Sequence, residues 1–366
     1  MKKTIVAIAA ILAVILISST YFFYVNNYAN SSKQTLKIFC AVSLLYPLRQ
    51  VEADFEAANP NIDVQIEGHG TIQVIRHVTE MGDKIELCCV ADYSLIPTMM
   101  YSTIDPETNQ TYADYYIRFA TNEMVLAYTN SSEYANDINA TNWYSIIKPW
   151  SVALGLANPQ VAALGYRALM VIQMASDYYI DPALFHDLIT VNMDPSISSD
   201  KIGNNYTIMV PEVQAPVKDS SGYSKLTMRS SEIDLINLLQ AGTLDYCFVY
   251  LSSAKQYNLN YIELPDEINL GNSKYSTNYE RVQIKYTTQR FSTITLDRTG
   301  ETIYYGLTIP SNAPNPGLAK LFITFLLNGE GKMIFEQASH PIFTPSFTDN
   351  VTAVPPEIQS LVISEP

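Results

Sequence analysis

From Leu36 onwards, short apolar runs rich in β-prone residues alternate with segments whose apolar positions recur at helical spacing. This alternation predicts strands over 36–42, 62–66 and 85–90, and helices over 47–58 and 72–81. Asn59-Pro60-Asn61 ends the first helix, because proline disfavours helical backbone at the residue before it. The order β-α-β-α-β is typical of a mostly parallel sheet that helices cover on both faces.

The same alternation continues towards the C-terminus. It predicts strands or helices over 123–128, 143–147, 152–156, 165–179, 206–210, 230–239, 245–251, 261–264, 302–309, 316–328 and 331–337, with extended structure over 273–290. We therefore predict an α/β chain with two lobes, and the chain crosses between them twice. The predicted parts are a hydrophobic N-terminal segment (1–25), a linker (26–35), lobe one (36–122 plus 252–350), lobe two (123–251) and a C-terminal tail (351–366). Such lobes leave a cleft at the carboxyl ends of their strands, where open α/β sheets bind ligands, and they close by hinge motion.

Length and composition agree with two globular lobes. The chain has 366 residues, of which 48% are apolar and 16% are charged, and this excludes a disordered protein. The net charge of −14 without a Lys/Arg cluster predicts that nucleic acid is not a partner. An anionic ligand is not excluded, because charges beyond about 8 Å are screened at physiological salt.

The N-terminus predicts export. Lys2 and Lys3 precede an uncharged run over 4–24, which is long enough to span a bilayer and favours a cytoplasmic start. A cleaved signal peptide and a retained membrane anchor both remain open. Six Asn-x-Ser/Thr sequons permit a glycosylated surface protein; they begin at Asn30, Asn109, Asn130, Asn139, Asn205 and Asn350.

The four cysteines, Cys40, Cys88, Cys89 and Cys247, lie in apolar runs without zinc-type spacing. We interpret them as buried free thiols, with a Cys40–Cys88 or Cys40–Cys89 disulfide as the alternative.

Two predicted strand-to-helix junctions carry polar groups. Ser43 stands just before the first helix, and Gly68-His69-Gly70-Thr71 precedes the second. Free backbone N–H groups and a hydroxyl at a helix start suit an anion, although helix capping explains Ser43 and Thr71 equally. His69 is either a ligand contact or a polar turn residue. The sequence has no catalytic triad order, phosphate loop or His-rich metal motif, so we expect neither an enzyme nor a cofactor.

Longer motifs run in order from about Thr35 to near the C-terminus. They include Phe39-Cys40-Ala41-Val42-Ser43-Leu44, Ala91-Asp92-Tyr93, Gly165-Tyr166-Arg167, Met228-Arg229-Ser230-Ser231-Glu232 and Asp245-Tyr246-Cys247-Phe248-Val249-Tyr250. The chain thereby resembles the archaeal tungstate/molybdate-binding proteins of ABC uptake systems, which are extracellular solute-binding proteins.

The resemblance implies a two-lobed, type II periplasmic-binding-protein fold with the oxyanion in the cleft. It implies hydroxyl and backbone donors from Ser43 and Thr71 and a phenol from Tyr250. It further implies backbone N–H groups from Ala162, Ala163 and Leu164. Glu232 would approach the metal centre of the oxyanion. Arg167 and Arg229 would pin loops through ion pairs or carbonyl hydrogen bonds, and Asp92 would brace the segment after it.

Three positions depart from the family pattern. Val42 and Val90 stand where the family has Gly and Ser, and Ala162-Ala163 stands where it has Asp-Pro. One of two carboxylates that approach the metal centre is therefore absent, which favours four-coordinate binding through neutral donors. Glu232 without a compensating contact would repel an oxyanion by about 1 kcal/mol or more at roughly 4 Å, even in water.

These observations predict an extracytoplasmic solute-binding protein, secreted or anchored by its N-terminal segment. We expect it to bind tungstate or molybdate and to deliver it to an ABC permease. The alternatives are a protein of the same fold that binds another small ligand, and a surface protein for sensing or adhesion.

Overall fold

A computed structural model of the protein describes residues 33–287 and 297–365. The predicted N-terminal segment and the linker up to residue 32, with the sequon at Asn30, lie outside these residues. Within the described ranges, no helix is both long enough and apolar enough to cross a membrane.

The strands and helices alternate along the chain. The strands are β1 (Gln34–Ala41), β2 (Ile62–His69), β3 (Leu87–Val90), β4 (Ile117–Thr121), β5 (Met124–Tyr128), β6 (Leu154–Ala157), β7 (Met193–Asp194), β8 (Ser198–Ile202), β9 (Asn205–Val210), β10 (Ala215–Pro216), β11 (Leu226–Arg229), β12 (Tyr246–Tyr250), β13 (Asn260–Glu263), β14 (Val282–Tyr286), β15 (Arg298–Thr299), β16 (Tyr304–Thr308), β17 (Ile342–Thr348) and β18 (Val362–Ser364). The α-helices are α1 (Val42–Ala58), α2 (Thr71–Thr79), α3 (Trp143–Ile146), α4 (Ala163–Tyr178), α5 (Leu184–Leu188), α6 (Glu232–Gln240), α7 (Leu251–Gln256), α8 (Ser276–Tyr279), α9 (Pro316–Leu327) and α10 (Gly329–Gln337). Short 3-10 or π turns cover Pro97–Tyr101, Thr190–Asn192, Ser273–Tyr275 and Gln359–Leu361.

The first lobe is built on a seven-stranded sheet in the order β18-β17-β4-β16-β3-β1-β2. Strand β1 runs parallel to both β2 and β3, as the sequence predicts. The sheet becomes mixed where β16 returns antiparallel to β3 and β4. Helices α1 and α2 follow β1 and β2, so both helices begin at the carboxyl edge of the parallel part.

The second lobe is built on a five-stranded sheet in the order β11-β6-β12-β5-β13. Strands β11, β6 and β12 are parallel, and β5 and β13 are antiparallel to their neighbours. Every residue of α4 from Ala163 to Ser176 is buried. This helix packs on the five-stranded sheet on one side and on β14 of a four-stranded sheet, β15-β14-β9-β8, on the other.

One chain crossing joins β4 of the first lobe to β5 of the second through Asn122 and Glu123. The chain returns to the larger sheet at β16. Before it does, three strands from 252–350 pair outside that sheet: β13 with β5, β14 with β9, and β15 with β14. The predicted domain division, including the tail at 351–366, stays a prediction.

Two local predictions are wrong. Helix α1 begins at Val42, so Pro47 lies inside it rather than in its first turn. The proline ring lacks the N–H that would bond the carbonyl of Ser43, a local cost that the buried face of α1 offsets through Leu44, Leu48, Val51 and Phe55. The segment 273–290 is not extended throughout, because a 3-10 turn and α8 precede β14.

All four cysteines are free and buried, in agreement with the first interpretation. Cys40 lies opposite Cys89 on the neighbouring parallel strands β1 and β3, yet the pair is not bonded. Burial raises the pKa of the Cys88 thiol to about 12. The thiols therefore act as small apolar groups of the core.

Candidate functional site

A small cavity of about 20 Å³, open to solvent, lies between the two lobes. Its first wall consists of Val42, Ser43, His69, Gly70, Thr71 and Ala91, and its second wall consists of Ala162, Ala163, Leu164, Ser231, Glu232 and Tyr250. The structure thus brings all seven predicted site residues to one place. Their role in binding stays a prediction.

The cavity lies where parallel strands end and helices begin. The first wall follows β1, β2 and β3, and the second follows β6, β11 and β12. Four helices, α1, α2, α4 and α6, start at its edge. Each start leaves backbone N–H groups without an intrahelical acceptor and carries a partial positive charge. This arrangement favours a negatively charged ligand.

Ser43 is the second residue of α1 and does not precede the helix as predicted. Its Oγ accepts a hydrogen bond from the phenol of Tyr305 at 3.2 Å. Tyr305 in turn accepts one from Nδ2 of Asn122, at the crossing between the lobes, at 2.9 Å. The hydroxyl proton of Ser43 has no acceptor among the described residues, so Ser43 can donate it to a ligand.

Thr71 is the first residue of α2, and its Oγ accepts the backbone N–H of Ala91 at 3.2 Å. As with Ser43, the described part of the chain offers its hydroxyl proton no acceptor. The first wall therefore presents two hydroxyl donors, and each hydroxyl oxygen accepts a hydrogen bond from a neutral group on the side away from the cavity.

The second wall includes the uncapped start of α4. Ala162 is the N-cap residue and supplies no side-chain hydrogen bond. Its own backbone N–H, predicted to serve the ligand, is not available, because it bonds the carbonyl of Asn158 at 3.0 Å. In residues 33–287 and 297–365, the backbone N–H groups of Ala163 and Leu164 meet no acceptor, whereas that of Gly165 bonds the carbonyl of Ala162 at 3.0 Å. Two amides thus remain available to a ligand.

Tyr250 ends β12, and its phenol oxygen accepts a hydrogen bond from Nη1 of Arg167 at 2.9 Å. The same Nη1 donates to the carbonyl of Ala91 in the first wall at 2.7 Å. Arg167 therefore does bond a carbonyl, as predicted, but across the cleft and not within a loop. Because Arg167 has only protons to offer, the phenol keeps its own proton for the cavity.

Glu232 is the first residue of α6 and is buried. Its Oε1 accepts the backbone N–H of Tyr250 at 2.9 Å. Burial raises the pKa of this carboxyl to about 7, although hydrogen bonds from Tyr250 and Ser253 act in the opposite direction. Around neutral pH, a large fraction of the molecules therefore carries Glu232 uncharged.

Beside the cavity, Asp92 braces the next segment as predicted, accepting Ser94 N–H at 3.0 Å and Ser94 O–H at 2.6 Å. It also accepts the phenol of Tyr166 from the second lobe. Burial by itself would raise the pKa of Asp92, but the charges of Arg167 and Arg298 and these hydrogen bonds lower it. The negative carboxylate of Asp92 and the positive guanidinium of Arg167 are thus both buried between the lobes, and their charges attract each other.

His69 is the last residue of β2 and lines the cavity, so it is not a turn residue. A contact between His69 and a ligand stays a prediction. Burial and the neighbouring His77 lower the pKa of His69, so the ring is neutral near pH 7. Within the described residues, no group of three or more His, Cys, Asp or Glu side chains is placed to hold a metal ion. Arg229 is exposed, and its side chain makes one hydrogen bond to the described residues, to the carbonyl of Met228 at 2.9 Å.

Sequence reasoning missed the groups behind the walls. Tyr305 and Asn122 lie far from Ser43 along the chain, and the motif that contains Arg167 gives no indication of its two partners. Gly70 is a further case: a Cβ at this position would lie 2.4 Å from the carbonyl oxygen of Val161 in the other lobe. The two lobes touch there backbone to backbone.

Comparison with known proteins identifies the family of the chain. A family model described as bacterial extracellular solute-binding protein matches residues 36–338. An uncharacterized solute-binding protein of Methanococcus maripaludis is 37% identical over 333 residues, which is 91% of this chain and 89% of that protein. The molybdate/tungstate-binding protein WtpA of Pyrococcus abyssi is 36% identical over 339 residues, 89% of each chain.

Among solved structures, the periplasmic molybdate-binding protein of Azotobacter vinelandii matches 83% of this chain and 98% of its own, with a TM-score of 0.51 and 13% identity. This likeness confirms the predicted two-lobed, type II periplasmic-binding-protein fold. The family places the protein outside the cytoplasm and among binding proteins, not enzymes. The chain belongs to the bacterial extracellular solute-binding protein family.

Proposed function

We propose that this protein captures a tetrahedral oxyanion of the molybdate or tungstate type outside the cytoplasm and delivers it to an ABC permease. The observation that carries the proposal is the convergence of four helix starts and three inward hydroxyl donors, Ser43, Thr71 and Tyr250, on one small cavity. The donors come from both lobes, so an anion in the cavity would hold the lobes together.

The chemistry of the walls suits an anion that is held by neutral donors. Hydrogen bonds to a charged group contribute about 1.5–3 kcal/mol each, roughly twice as much as neutral ones. The free amides of Ala163 and Leu164 add to the three hydroxyls, and the helix starts supply partial positive charge. Among the described residues, no Lys or Arg lines the cavity, so selectivity would rest on cavity size and donor direction.

Of the wall residues that the structure describes, Glu232 alone carries a carboxyl group. Its oxygen Oε1 is bonded to Tyr250 N–H, and its pKa of about 7 lets it be uncharged when a dianion enters. The position that would hold the family's second carboxylate is Ala162. Four-coordinate binding of the oxyanion, without expansion at the metal centre, follows from this donor set.

WtpA of Pyrococcus abyssi, a molybdate/tungstate-binding protein, supports the ligand class through 36% identity over 89% of the chain. The family supports a partner in the membrane, and the apolar run over 4–24 supports a signal peptide or a membrane anchor. The sequons are consistent with a glycosylated outer surface.

Isothermal titration with tungstate, molybdate, sulfate and phosphate tests the proposal. We expect tungstate or molybdate to bind in the micromolar range or tighter, with a 1:1 ratio and weaker binding of the other anions. A variant that combines Ser43→Ala with Tyr250→Phe should lose this heat while it keeps its thermal transition. If the wild-type protein gives no heat with any of the four anions, the proposal is wrong. Native mass spectrometry would then identify a different co-purified ligand or leave the sensing and adhesion alternative.

A further inference from the structure

Arg167 has a place in the molecule that the cavity walls alone do not explain. It lies in α4, is only 2% exposed and does not line the cavity. Its Nη1 bonds Tyr250 of the second wall and the carbonyl of Ala91 of the first. One nitrogen atom thus connects a ligand donor in one lobe to the backbone of the other lobe.

The backbone of Ala91 extends this connection. Its carbonyl accepts from Arg167, and its N–H donates to Oγ of Thr71. Arg167 is therefore bonded directly to Tyr250, and it is connected to Thr71 through the backbone of Ala91. Both ends of this chain are hydroxyls that face the cavity.

Each link also sets a direction. A guanidinium can only donate, so the oxygen of Tyr250 must accept and its proton is left for the cavity. The Ala91 N–H acts in the same way on Thr71. The buried positive charge of Arg167 behind the phenol strengthens its donation to an anion, because a low dielectric weakens the screening between them.

The hydrogen bond from Arg167 to Ala91 belongs to a larger contact that joins the two lobes. The neighbour of Arg167, Tyr166, donates to Asp92, and Asp92 is the neighbour of Ala91. Two consecutive residues of α4 thus donate hydrogen bonds to two consecutive residues of the first lobe. The bond from Arg167 to Ala91 can exist only when the lobes are as close as they are here.

We infer that Arg167 is a positioning residue that couples anion binding to lobe closure, because it fixes Tyr250 as a donor and bonds the opposite wall in the closed arrangement. The inference rests on the proposed function, since it assumes that an oxyanion occupies the cavity. It predicts that Arg167 controls affinity without touching the ligand.

The test uses the full chain with Arg167→Met, Arg167→Lys, Tyr250→Phe or the double substitution Arg167→Met/Tyr250→Phe. Tungstate and molybdate titrations give affinities, and small-angle scattering with and without anion gives compaction. Arg229→Met is the matched control, because Arg229 is exposed and the guanidinium bonds no described residue other than Met228, through its carbonyl.

We expect Arg167→Met to weaken binding by about 30-fold and to reduce anion-induced compaction. In the Tyr250→Phe background the same change should cost clearly less, because the two residues act through one hydrogen bond. Arg167→Lys should retain part of the affinity, since its ammonium keeps the charge beside Asp92 but lacks the planar guanidinium. If Arg167→Met does not fold, the affinity of Arg167→Lys tests the inference in its place.

Different failures have different meanings. If the wild-type protein binds an oxyanion and Arg167→Met and Arg167→Lys bind it equally well, the inference is wrong and the proposed function stands. An equal loss with and without the Tyr250 hydroxyl, with unchanged compaction, also overturns the inference and indicates a purely structural arginine. If the wild-type protein binds none of the anions, both proposals are wrong.

Discussion

The two walls of the cavity present similar donors but hold them differently. In the first wall, neutral groups hold the hydroxyls: the phenol of Tyr305 holds Ser43, and the amide of Ala91 holds Thr71. In the second wall, the groups next to Tyr250 are ionisable: Arg167 donates to its phenol, and Glu232 accepts from its backbone N–H.

This difference gives the two walls separate roles: the first supplies donors of fixed direction, and the second makes binding depend on charge. The donors of the first wall are neutral and keep the same direction at any ordinary pH. His69, the ionisable side chain of this wall among the described residues, has a lowered pKa and is uncharged near pH 7, so the wall offers a fixed surface there. The second wall contains the carboxyl whose pKa lies near 7 and the buried guanidinium. Dependence of binding on pH and on buried charge should therefore come from the second wall and not from the first.

The largest effect should come from separating the walls. Gly70→Ala places a methyl group where only 2.4 Å is available to the carbonyl oxygen of Val161. The φ and ψ of Gly70, −63° and 143°, are ordinary for alanine, so the clash between lobes is the main cost. We expect oxyanion affinity to fall by roughly 100-fold, with little change in the melting temperature of the unligated protein.

Calorimetry and thermal unfolding measure the two quantities for Gly70→Ala. Gly317→Ala is the matched control, because its new Cβ meets only Asn315 Oδ1, at 3.5 Å. Affinity that is unchanged in Gly70→Ala would mean that the ligand does not need the lobes this close.

The next effect compares one donor from each wall. Tyr250→Phe should weaken binding by about 30-fold, because the phenol donates with a buried guanidinium behind it. Ser43→Ala should weaken it by about 10-fold, because its hydroxyl has only neutral support. Titration of both variants with the same anion gives the comparison. Equal losses would contradict the idea that the buried charge of Arg167 strengthens the donor of the second wall.

A smaller effect concerns pH. The pKa of Glu232 is about 7 in the folded protein, so the carboxyl is uncharged below that pH and charged above it. Because a carboxylate repels a dianion, affinity should fall by about fivefold as pH rises from about 6 to about 8. Glu232→Gln cannot ionise and should flatten this profile, whereas Ser43→Ala should weaken binding without changing its shape.

The unligated protein supplies an independent reading of Glu232. Its folded pKa lies above its ordinary value of 4.5, so the folded state binds the proton more tightly than the unfolded state. The associated stability is present below about pH 4.5 and is lost as pH rises through about 7. Glu232→Gln should therefore gain stability over the wild type at about pH 8, on the order of 1–3 kcal/mol, and much less at about pH 5. A constant difference at both pH values would show that the carboxyl titrates normally.

The smallest effect should come from Tyr305→Phe. The change leaves Ser43 in the wall but removes the phenol that orients its hydroxyl. We expect a loss of about threefold that does not vary with pH. Tyr286→Phe is a matched control, because that phenol donates to the carbonyl of Pro159 at 2.7 Å and does not line the cavity. A pH-dependent loss in Tyr305→Phe would contradict a neutral first wall.

Much of the fold could be predicted from the sequence because its patterns are local. Apolar spacing gave the order of β1, α1, β2, α2 and β3, since each segment must bury one face or both. Helix starts that follow parallel strands share one edge of a sheet, so Ser43 and Thr71 could be expected to lie together. The start of α1 was missed because Pro47 has the appearance of a first-turn residue, while buried contacts extend the helix back to Val42.

The sequence by itself determined an acidic, two-lobed α/β chain, because composition and the alternation of apolar and polar positions can be read without knowing any distant contact. Its resemblance to a known family named seven of the twelve residues that line the cavity. Only the tertiary structure decided what stands behind each donor. Tyr305 reaches Ser43, and Arg167 reaches both Tyr250 and Ala91, after the sheets have formed and the lobes have met. A hydrogen bond requires an approach of about 3 Å, and for residues far apart in the chain this distance is set by packing and not by sequence spacing.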